Sequence, residues 1–427
     1  MKVHLVGIGG AGVSALADVY LHRRLQVSGC DLKESATTRR LAAAGVRISI
    51  GHDPAHVEGQ DLIVYSGAVR SSPELDAARA AGIRVVSRAE VLSELFRSPG
   101  SVAVTGSSGK TSVTFMLGQV LAAAGRDPTI LVGDGTNTRA GRGPLVAEAD
   151  ESDGSLLLHH PRHAVVTNVA FDHPDHFQSI ADVEALFARF LAGLPAEGVA
   201  VLGADDPRLR RLATPARRVT YGFDPGADYR CTEERPFQLL QRGRRLGPVG
   251  LLVPGRHNVQ NATAAAAMAL ELGVEFEVVA GALGRYSGAA RRLERLGTWR
   301  DAVVYDDYGH HPDKVAATLQ AAREVARGRV ILIFQPHRYS RFAALRQEFA
   351  AALAGADQVI VTEIYGAGES NPEGLSAIEL AKLVPGAQYC PDFAAARAAL
   401  EESVRPGDLV LCMGAGSITE LAHELAG

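Results

Sequence analysis

Short apolar runs alternate with longer segments of helical periodicity along almost the whole chain. Each run is followed by glycine or polar residues and then by a stretch rich in Ala, Leu and Arg. This pattern is typical of parallel strands joined by helices, so it predicts an α/β protein. The predicted strands are residues 3–6, 26–30, 62–65, 84–86, 101–105, 164–168, 302–305, 330–334, 358–362 and 409–413, and the predicted helices include 13–25, 112–124 and 261–272.

The length of the chain indicates more than one domain. It has 427 residues, and domains commonly have roughly 100 to 200 residues. Residues 97–100, Arg-Ser-Pro-Gly, have the composition of a linker, and a new series of predicted strands begins near residue 101 and again near residue 295. We therefore expect three α/β domains, over residues 1–97, 98–294 and 295–427.

Composition and charge exclude several classes of protein. The net charge is −4 and there is no Lys/Arg block, so a nucleic-acid-binding surface is not expected. No apolar run approaches the roughly 20 residues of a membrane span, and the chain starts on a predicted strand without a signal sequence. The four cysteines are far apart and indicate neither a zinc knuckle nor a disulfide framework. We expect a cytoplasmic protein that does not insert into a membrane.

The clearest chemical motif is T-G-S-S-G-K-T at residues 105–111, between a predicted strand and a predicted helix. Backbone N–H groups of such a turn form an anion cradle at the start of the helix. Lys110 would reach the β- and γ-phosphates of a nucleotide, and the Thr111 hydroxyl would bind Mg²⁺. Val104 stands where the full motif has glycine, so the loop is a shortened variant. Only five of the 44 basic residues are lysine, which argues against an accidental lysine at this position.

Two polar segments follow in the second predicted domain. The run E-A-D-E-S-D at residues 148–153 has four carboxylates, which repel one another unless they are solvated or neutralised by a cation. Glu151 is predicted to complete a Mg²⁺ site, and the alternative is a solvated acidic turn. The segment D-H-P-D-H at residues 172–176 offers His173 as a further ligand, although Mg²⁺ usually takes oxygen ligands.

The amino terminus has a second glycine-rich motif, G-I-G-G-A-G at residues 7–12. Asp31 lies at the end of the second predicted strand, directly after residue 30 and 19 residues after Gly12, at the position of a ribose-binding acid. The motif indicates that a nucleotide diphosphate binds at a helix terminus. It does not distinguish NAD from a UDP sugar or from a Rossmann-like fold without a nucleotide.

Two motifs in the third predicted domain also follow strands. They are D-D-Y-G-H-H-P at residues 306–312 and Q-P-H-R-Y-S-R at residues 335–341. Both would lie outside the carboxyl ends of strands, where open α/β sheets bind ligands. Arg338 and Arg341 are suited to bidentate binding of a carboxylate. The paired histidines are consistent with a surface, a core or a metal site.

In their order along the chain, these segments resemble the motifs of the Mur ligase family. Further similar strings are V-S-G-C-D at residues 27–31, T-N-V-A-F-D-H-P-D at 167–175 and P-G-R-H-N-V-Q-N-A at 254–262. The resemblance covers nearly the whole chain and is strongest to the family members that join L-alanine to UDP-N-acetylmuramate. It implies a Rossmann-like N-terminal domain for the UDP sugar, a central P-loop ATPase α/β domain and a Rossmann-like C-terminal domain that admits the amino acid.

The resemblance also implies a reaction and its residues. ATP, with Mg²⁺, would activate the lactyl carboxylate of UDP-N-acetylmuramate as an acyl phosphate, which L-alanine then attacks. The UDP sugar would contact Gly9, Gly10, Ala11, Gly12 and Asp31. ATP would contact Gly106, Ser107, Ser108, Gly109, Lys110, Thr111, Ser112, Asn258, Arg292 and Asp306. The metal ligands would be Thr111, Glu151 and His173. The muramoyl carboxylate and the alanine would contact Tyr308, His310, Arg338 and Arg341. The implied catalytic residues are Lys110, Glu151, His173, His310 and Arg338, with His310 as a proton acceptor.

One departure from the family pattern bears on these expectations. Ser107 and Ser108 stand where the family usually has Thr-His, so any contact of that histidine is lost. The alternatives are a recycling ligase that joins a tripeptide to the same nucleotide sugar, and a UDP-sugar-binding regulator without catalysis. An NAD-dependent dehydrogenase would rest on the first glycine motif alone.

Overall fold

The structure is a computed structural model that describes residues 1–69, 71–133, 137–152, 154–172, 176–371 and 373–427. Within these ranges the chain forms three α/β domains, each built on its own sheet, which confirms the predicted fold class. The three sheets lie within residues 2–87, 102–249 and 294–413. The domain boundaries expected from the sequence fall between these sheets and stay a prediction.

The N-terminal domain has a sheet of five parallel strands. They are β1 Lys2–Val6, β2 Gln26–Asp31, β3 Arg47–Ile50, β4 Leu62–Tyr65 and β5 Arg84–Ser87. The helices are α1 Ala11–His22, α2 Ala36–Ala43, α3 Pro73–Ala80 and α4 Arg88–Phe96. The strand order is β3-β2-β1-β4-β5, so the direction of winding reverses beside β1. The glycine loop at residues 7–12 follows β1 and therefore lies at the switch point, where such sheets bind ligands.

The central domain has the largest sheet in the described ranges. Its strands are β6 Val102–Thr105, β7 Thr129–Leu131, β8 Leu145–Glu148, β9 His163–Val166, β10 Val199–Gly203, β11 Arg217–Gly222, β12 Tyr229–Cys231, β13 Phe237–Gln241 and β14 Arg244–Val249. The helices are α5 Lys110–Ala123, α6 Ile180–Ala192, α7 Arg256–Glu271 and α8 Phe276–Leu283. The order is β14-β13-β12-β11-β10-β9-β6-β8-β7, with antiparallel pairing only at β12-β13 and β13-β14 among these strands. The carboxyl ends of β6, β8 and β9 thus meet at one edge, where the predicted phosphate loop and acidic run follow.

The C-terminal domain has a mixed sheet with one antiparallel pair, β15-β16, among the described strands. Its strands are β15 Glu294–Trp299, β16 Ala302–Asp307, β17 Val330–Phe334, β18 Gln358–Thr362, β19 Gln388–Cys390 and β20 Leu409–Met413. The helices are α9 Pro312–Val325, α10 Tyr339–Leu353, α11 Ile378–Leu383, α12 Phe393–Ser403 and α13 Ile418–Ala426. The order is β15-β16-β20-β17-β18-β19. The two histidine-containing segments follow β16 and β17, which both flank β20.

Helix α7 positions α5 and thereby the loop that precedes α5. Its alanines, among them Ala262 and Ala266, are fully buried against the same core as Val113 and Leu117 of α5. Small side chains allow the two helix backbones to approach closely, which fixes the first turn of α5. Among the helices of the described ranges, none combines the length and apolarity needed to cross a bilayer.

Candidate functional site

The phosphate-loop candidate, residues 106–109, is held in place by the chain that follows β9. The Thr167 hydroxyl donates to the Ser108 carbonyl at 2.6 Å, and the Asn168 Oδ1 accepts the Ser108 N–H at 3.0 Å. Gly106 has a φ of 124°, and a Cβ there would lie 2.1 Å from Thr167 Oγ1. The loop can therefore approach this segment only with glycine at position 106.

Serine at position 107 makes a local contact of its own. Its hydroxyl donates to the Ala170 carbonyl at 3.0 Å and accepts the Ala170 N–H at 2.8 Å. These two hydrogen bonds hold the buried Ser107 side chain against the segment after β9. The loop backbone remains at the start of α5. Ser112 is buried in the first turn of that helix. The departure from the family's Thr-His at positions 107 and 108 is thus compatible with an intact loop.

Lys110 lies in a largely buried ion pair with the acidic run. Its Nζ is 2.7 Å from Glu151 Oε2, 2.8 Å from the Gly106 carbonyl oxygen and 3.9 Å from Asp150 Oδ1. Burial by itself lowers the pKa of Lys110, but the neighbouring carboxylates, Glu151 foremost, outweigh this and raise the pKa above its ordinary value. Burial raises the pKa of Glu151 to about 7, and the charge of Lys110 opposes this shift. Lys110 is therefore a fixed positive charge beside the loop.

Oxygen donors suited to a divalent cation gather next to this pair. Thr111 Oγ1 is 3.0 Å from Glu148 Oε2, and Glu151 Oε1 is buried without a hydrogen-bond partner among the described residues. Hydroxyl and carboxylate oxygens are the protein ligands that Mg²⁺ prefers, so Thr111 and Glu151 fit the ion. Residue 173, the predicted histidine ligand, lies outside the described residues. The sequence analysis did not assign a ligand role to Glu148.

Asp172 joins the central domain to the C-terminal domain. Its Oδ1 accepts from Arg341 Nε at 3.2 Å and Nη2 at 2.9 Å, and its Oδ2 accepts from Lys314 Nζ at 3.1 Å. The carboxylate and the guanidinium are both almost fully buried. Burial lowers the pKa of Lys314, and the charge of Asp172 opposes that shift. The predicted carboxylate clamp Arg341 is thus paired with a residue of the neighbouring domain.

A second contact at this junction is made by Arg292, which lies two residues before β15. Its Nη2 lies 3.2 Å from Thr111 Oγ1. The guanidinium also lies 5.0 Å from the centre of the Tyr308 ring, an arrangement that favours a cation over the ring face. Arg292 and Tyr308 were both predicted from the sequence, and the structure brings them to the phosphate-loop side of the domain contact.

His310 is a half-buried, neutral imidazole beside this contact. Its Nδ1 lies 2.9 Å from the Tyr308 carbonyl oxygen. Because a carbonyl only accepts, Nδ1 carries the hydrogen and Nε2 is left as an acceptor. Burial, together with the charges of Lys314 and Arg341, holds the pKa of His310 well below its ordinary value. The ring is therefore neutral, with Nε2 unprotonated.

Three other residues that were predicted to contact ATP or substrate make contacts within their own domains. Arg338 has a φ of 69° at the start of α10, and its Nη1 is 3.7 Å from Glu369 Oε1. Asp306 is fully buried, and its Oδ2 accepts the Thr419 hydroxyl at 2.6 Å. Asn258 donates to the Pro254 carbonyl at 2.6 Å. The ATP contacts predicted for Asn258 and Asp306, and the substrate contact predicted for Arg338, stay predictions.

The N-terminal glycine loop forms a separate candidate site. The Gly9 N–H donates to Asp31 Oδ2 at 2.8 Å, so the acid at the end of β2 orders the loop. Gly12 lies against Arg88, since a Cβ there would be 2.1 Å from Arg88 Nε. Gly9, Gly10, Ala11 and Gly12 are all at least partly exposed, with their backbone at the start of α1. This geometry fits a diphosphate bound to the helix terminus.

Sequence analysis missed three residues that the structure brings to the site, Glu148, Asp172 and Lys314. The first two lie in segments that had been singled out, but their partners are 37 or more positions away. For Lys314 a signal existed, because lysine is rare in this chain and Lys314 is one of only five. A lysine kept in an arginine-rich sequence is a candidate for a buried, specific role.

Comparisons with known proteins place these features in a family. Residues 2–98, 104–269 and 291–416 match models described respectively as the Mur ligase family catalytic domain, the Mur ligase middle domain and the Mur ligase glutamate ligase domain. The chain is 45% identical to the UDP-N-acetylmuramate–L-alanine ligase of Rubrobacter xylanophilus, with 100% of this chain and 99% of that protein aligned. It is 44% identical to the ligase of the same name from Sorangium cellulosum, with 99% and 95% aligned.

Solved structures give the same result for the fold. The crystal structure of the UDP-N-acetylmuramate-alanine ligase MurC of Thermotoga maritima superimposes with a TM-score of 0.83 at 29% identity, covering 100% of this chain and 98% of that one. A murein peptide ligase from Psychrobacter arcticus superimposes with a TM-score of 0.75 at 24% identity, covering 100% and 98%. The second likeness concerns the fold alone.

Proposed function

Since this chain belongs to the Mur ligase family, we propose that it uses ATP to join L-alanine to the lactyl carboxylate of UDP-N-acetylmuramate. The reaction supplies a peptidoglycan precursor, and we place it in the cytoplasm. The observation that supports it best is the largely buried pair of Lys110 and Glu151 beside the phosphate loop, where Arg292, just before β15, reaches Thr111. One site then holds a triphosphate and faces the domain that admits the amino acid.

The loop at residues 106–109 and the first turn of α5 would hold the ATP phosphates. Thr111 and Glu151 would hold Mg²⁺, with Glu148 beside Thr111. When bound, the ion neutralises negative charge on the phosphoryl group that is transferred. Lys110 adds a fixed positive charge at the same place, and it needs no rearrangement because Glu151 and the Gly106 carbonyl already orient it.

The proposed reaction has two steps. A carboxylate oxygen of UDP-N-acetylmuramate attacks the γ-phosphorus as the bond to ADP breaks, which gives an acyl phosphate. The alanine nitrogen then attacks the acyl carbon, and phosphate leaves. The alanine ammonium must first lose a proton, and Nε2 of His310 is the acceptor that we assign to it. Arg338 would orient a carboxylate for this step.

The contact between the central and C-terminal domains would exclude water during these steps. An acyl phosphate hydrolyses if water reaches it, so a ligase must close before it reacts. Asp172 and its two partners supply a buried connection suited to that closure. The UDP sugar itself would be held at the N-terminal loop by Gly9, Gly10, Ala11, Gly12 and Asp31.

The decisive experiment measures phosphate release with ATP and Mg²⁺ while single substrates are omitted. We expect release only when UDP-N-acetylmuramate and L-alanine are both present. Turnover with a preformed tripeptide in place of L-alanine would instead identify a recycling ligase. UDP-N-acetylmuramate binding without any ATP turnover would identify a regulator.

Substitution of Gly106 by alanine tests the phosphate loop. We expect ATP-dependent turnover to fall by about 10- to 100-fold, because the new Cβ overlaps Thr167 and displaces the loop from its productive position. Steady-state rates at varied ATP concentration, with the melting temperature of each variant, provide the measurement. The matched control is Gly125→Ala. Gly125 also has a positive φ, of 72°, but a Cβ there meets no atom within 4 Å.

The control separates backbone strain from displacement of the loop. Both variants place alanine in the left-handed region, at a cost of about 1–2 kcal/mol, so both should melt at a lower temperature. Only Gly106→Ala should lose turnover. Equal turnover in the two variants would show that the position of the loop does not matter to the reaction.

A further inference from the structure

Five side chains with metal-binding atoms gather in the N-terminal domain, on a different sheet from the phosphate loop. They come from β1, β2, the segment after β3 and the start of α3, and they are His4, Cys30, His52, His56 and Glu74. His4, Cys30 and Glu74 are buried, whereas the side chains of His52 and His56 are 20% and 19% exposed. The cluster thus has a closed interior and an opening to solvent. None of these residues has a role in the proposed ligation.

The spacing of three of these residues is within a few tenths of an ångström of the edges of a tetrahedral zinc site. Cys30 Sγ lies 3.3 Å from Glu74 Oε1 and 3.6 Å from His52 Nδ1, and the last two atoms are 3.1 Å apart. Tetrahedral Zn²⁺, with bonds of about 2.3 Å to sulfur and 2.0–2.1 Å to nitrogen, separates its ligand atoms by about 3.3–3.6 Å. These three atoms can therefore bind one ion with small side-chain shifts.

Two further histidines stand next to this trio. His56 Nδ1 lies 3.0 Å from Glu74 Oε1, and His4 Nε2 lies 3.4 Å from Cys30 Sγ. His56 belongs to a short 3-10 turn over Pro54–Val57 and is partly exposed, so its ring can reorient. We take His56 as the source of the fourth ligand.

The two carboxylate oxygens of Glu74 differ in their number of hydrogen-bond partners. Its Oε1 lies within 3.3 Å of four groups, the N–H of Asp53, the two histidine nitrogens and the thiol. Its Oε2 is buried without a hydrogen-bond partner among the described residues. One carboxylate oxygen has about two lone-pair sites, so four donors crowd Oε1 while Oε2 is left without any. An ion in the cluster would replace donors at Oε1 and give the carboxylate a charge partner.

The Cys30 thiol is the group that would lose its proton when the ion binds, as coordinating thiols do.

We propose that this cluster is a structural Zn²⁺ site, with Cys30, His52 and Glu74 as ligands and His56 supplying the fourth. The sulfur and nitrogen donors favour zinc over magnesium, so the site is chemically distinct from the one beside Lys110. The ion would connect β2 with α3 and with the segment after β3. The Cys30 carbonyl accepts the N–H groups of Gly7 and Ile8 at 2.9 and 3.1 Å, so the ion would also brace the N-terminal glycine loop.

The test uses the full-length chain after treatment with a chelator and removal of that chelator. Co²⁺, a spectroscopic substitute for Zn²⁺, is titrated in the presence of excess Mg²⁺, which blocks the oxygen site. We expect one equivalent of Co²⁺ to bind with the absorption of a cobalt–thiolate bond, and Zn²⁺ to displace it. Zn²⁺ should also raise the melting temperature, since an ion that binds only the folded chain stabilises it.

Matched variants locate the site. Cys30→Ser should abolish the cobalt–thiolate absorption, whereas Cys390→Ser, at another buried cysteine, should retain it. His52→Gln, at a partly exposed position, should weaken Zn²⁺ binding by at least the roughly 10- to 100-fold that loss of an outer-shell partner costs. If Cys30→Ser does not fold, the unmodified chain and His52→Gln decide the question. Absence of thiolate absorption in the unmodified chain, or unchanged Zn²⁺ affinity in His52→Gln, would overturn the proposal.

Discussion

Replacing Lys110 with alanine is expected to lower ligation by about 10³-fold or more, because it removes a positive charge from the phosphoryl group in transfer. The effect should be large since the charge is largely buried and already oriented by Glu151 and by the Gly106 carbonyl. Binding of UDP-N-acetylmuramate should be nearly unchanged, because its predicted site follows β1 on another sheet. Initial rates of phosphate release and calorimetric binding of the UDP sugar measure the two effects separately.

The control for this variant is Lys382→Ala. Lys382 is exposed on the last turn of α11 in the C-terminal domain, so its loss should leave both ligation and binding unchanged. Lys110→Arg is informative as well. A guanidinium keeps the charge but not the compact shape, so we expect a substantial loss there too. Parallel loss of ligation and UDP-sugar binding in Lys110→Ala would argue against two separate sites.

The strands of the fold were predictable because their sequences are short apolar runs with glycine or polar ends. In the C-terminal domain the predicted strands at 330–334, 358–362 and 409–413 are confirmed by β17, β18 and β20 with the same bounds. These strands are buried on both faces, so nearly every residue is apolar and the run itself marks the element.

The ends of strands and helices were less predictable where polar residues lie at those ends. The predicted strand 164–168 ends at Val166 in the structure. Thr167 and Asn168 instead direct their side chains to the phosphate loop. Helix α7 begins at Arg256, five residues before the predicted start, because its first turns are polar and lack the alanine pattern. Helix α1 ends at His22, not at residue 25, since Arg24 has a φ of 60°.

The motifs of the candidate site were visible in the sequence, but the contacts between them were not. A glycine-rich loop and a lysine are local features, so residues 105–111 could be recognised without a structure. The pairing of Asp172 with Lys314 and Arg341 spans 142 and 169 positions. Such contacts depend on how two domains meet, which no local pattern records. The cluster of His4, Cys30, His52, His56 and Glu74 lies within one domain, and it was missed because its members come from four separate segments of the chain.

The contact of Asp172 with the C-terminal domain leads to the second prediction of a large effect. Asp172→Asn should lower the rate of ligation by about 10²- to 10³-fold, since breaking a buried ion pair costs about 3–5 kcal/mol and each 1.4 kcal/mol is a factor of about 10. The substitution keeps the size of the side chain but removes the charge that neutralises Arg341 and Lys314. The closed arrangement of the two domains is therefore the state that loses stability.

The amount of phosphate released per amide bond formed distinguishes this effect from simple unfolding. If the domains close less completely, water reaches the acyl phosphate, so more phosphate should be released per amide bond formed. The matched control is Asp408→Asn, which breaks the pair between Asp408 and Arg329, 2.6 Å apart, inside the C-terminal domain. That control should lower the melting temperature yet leave the ratio of phosphate to amide product unchanged. A normal ratio and a normal rate in Asp172→Asn would mean that the Asp172 contact is not part of the reactive, closed state.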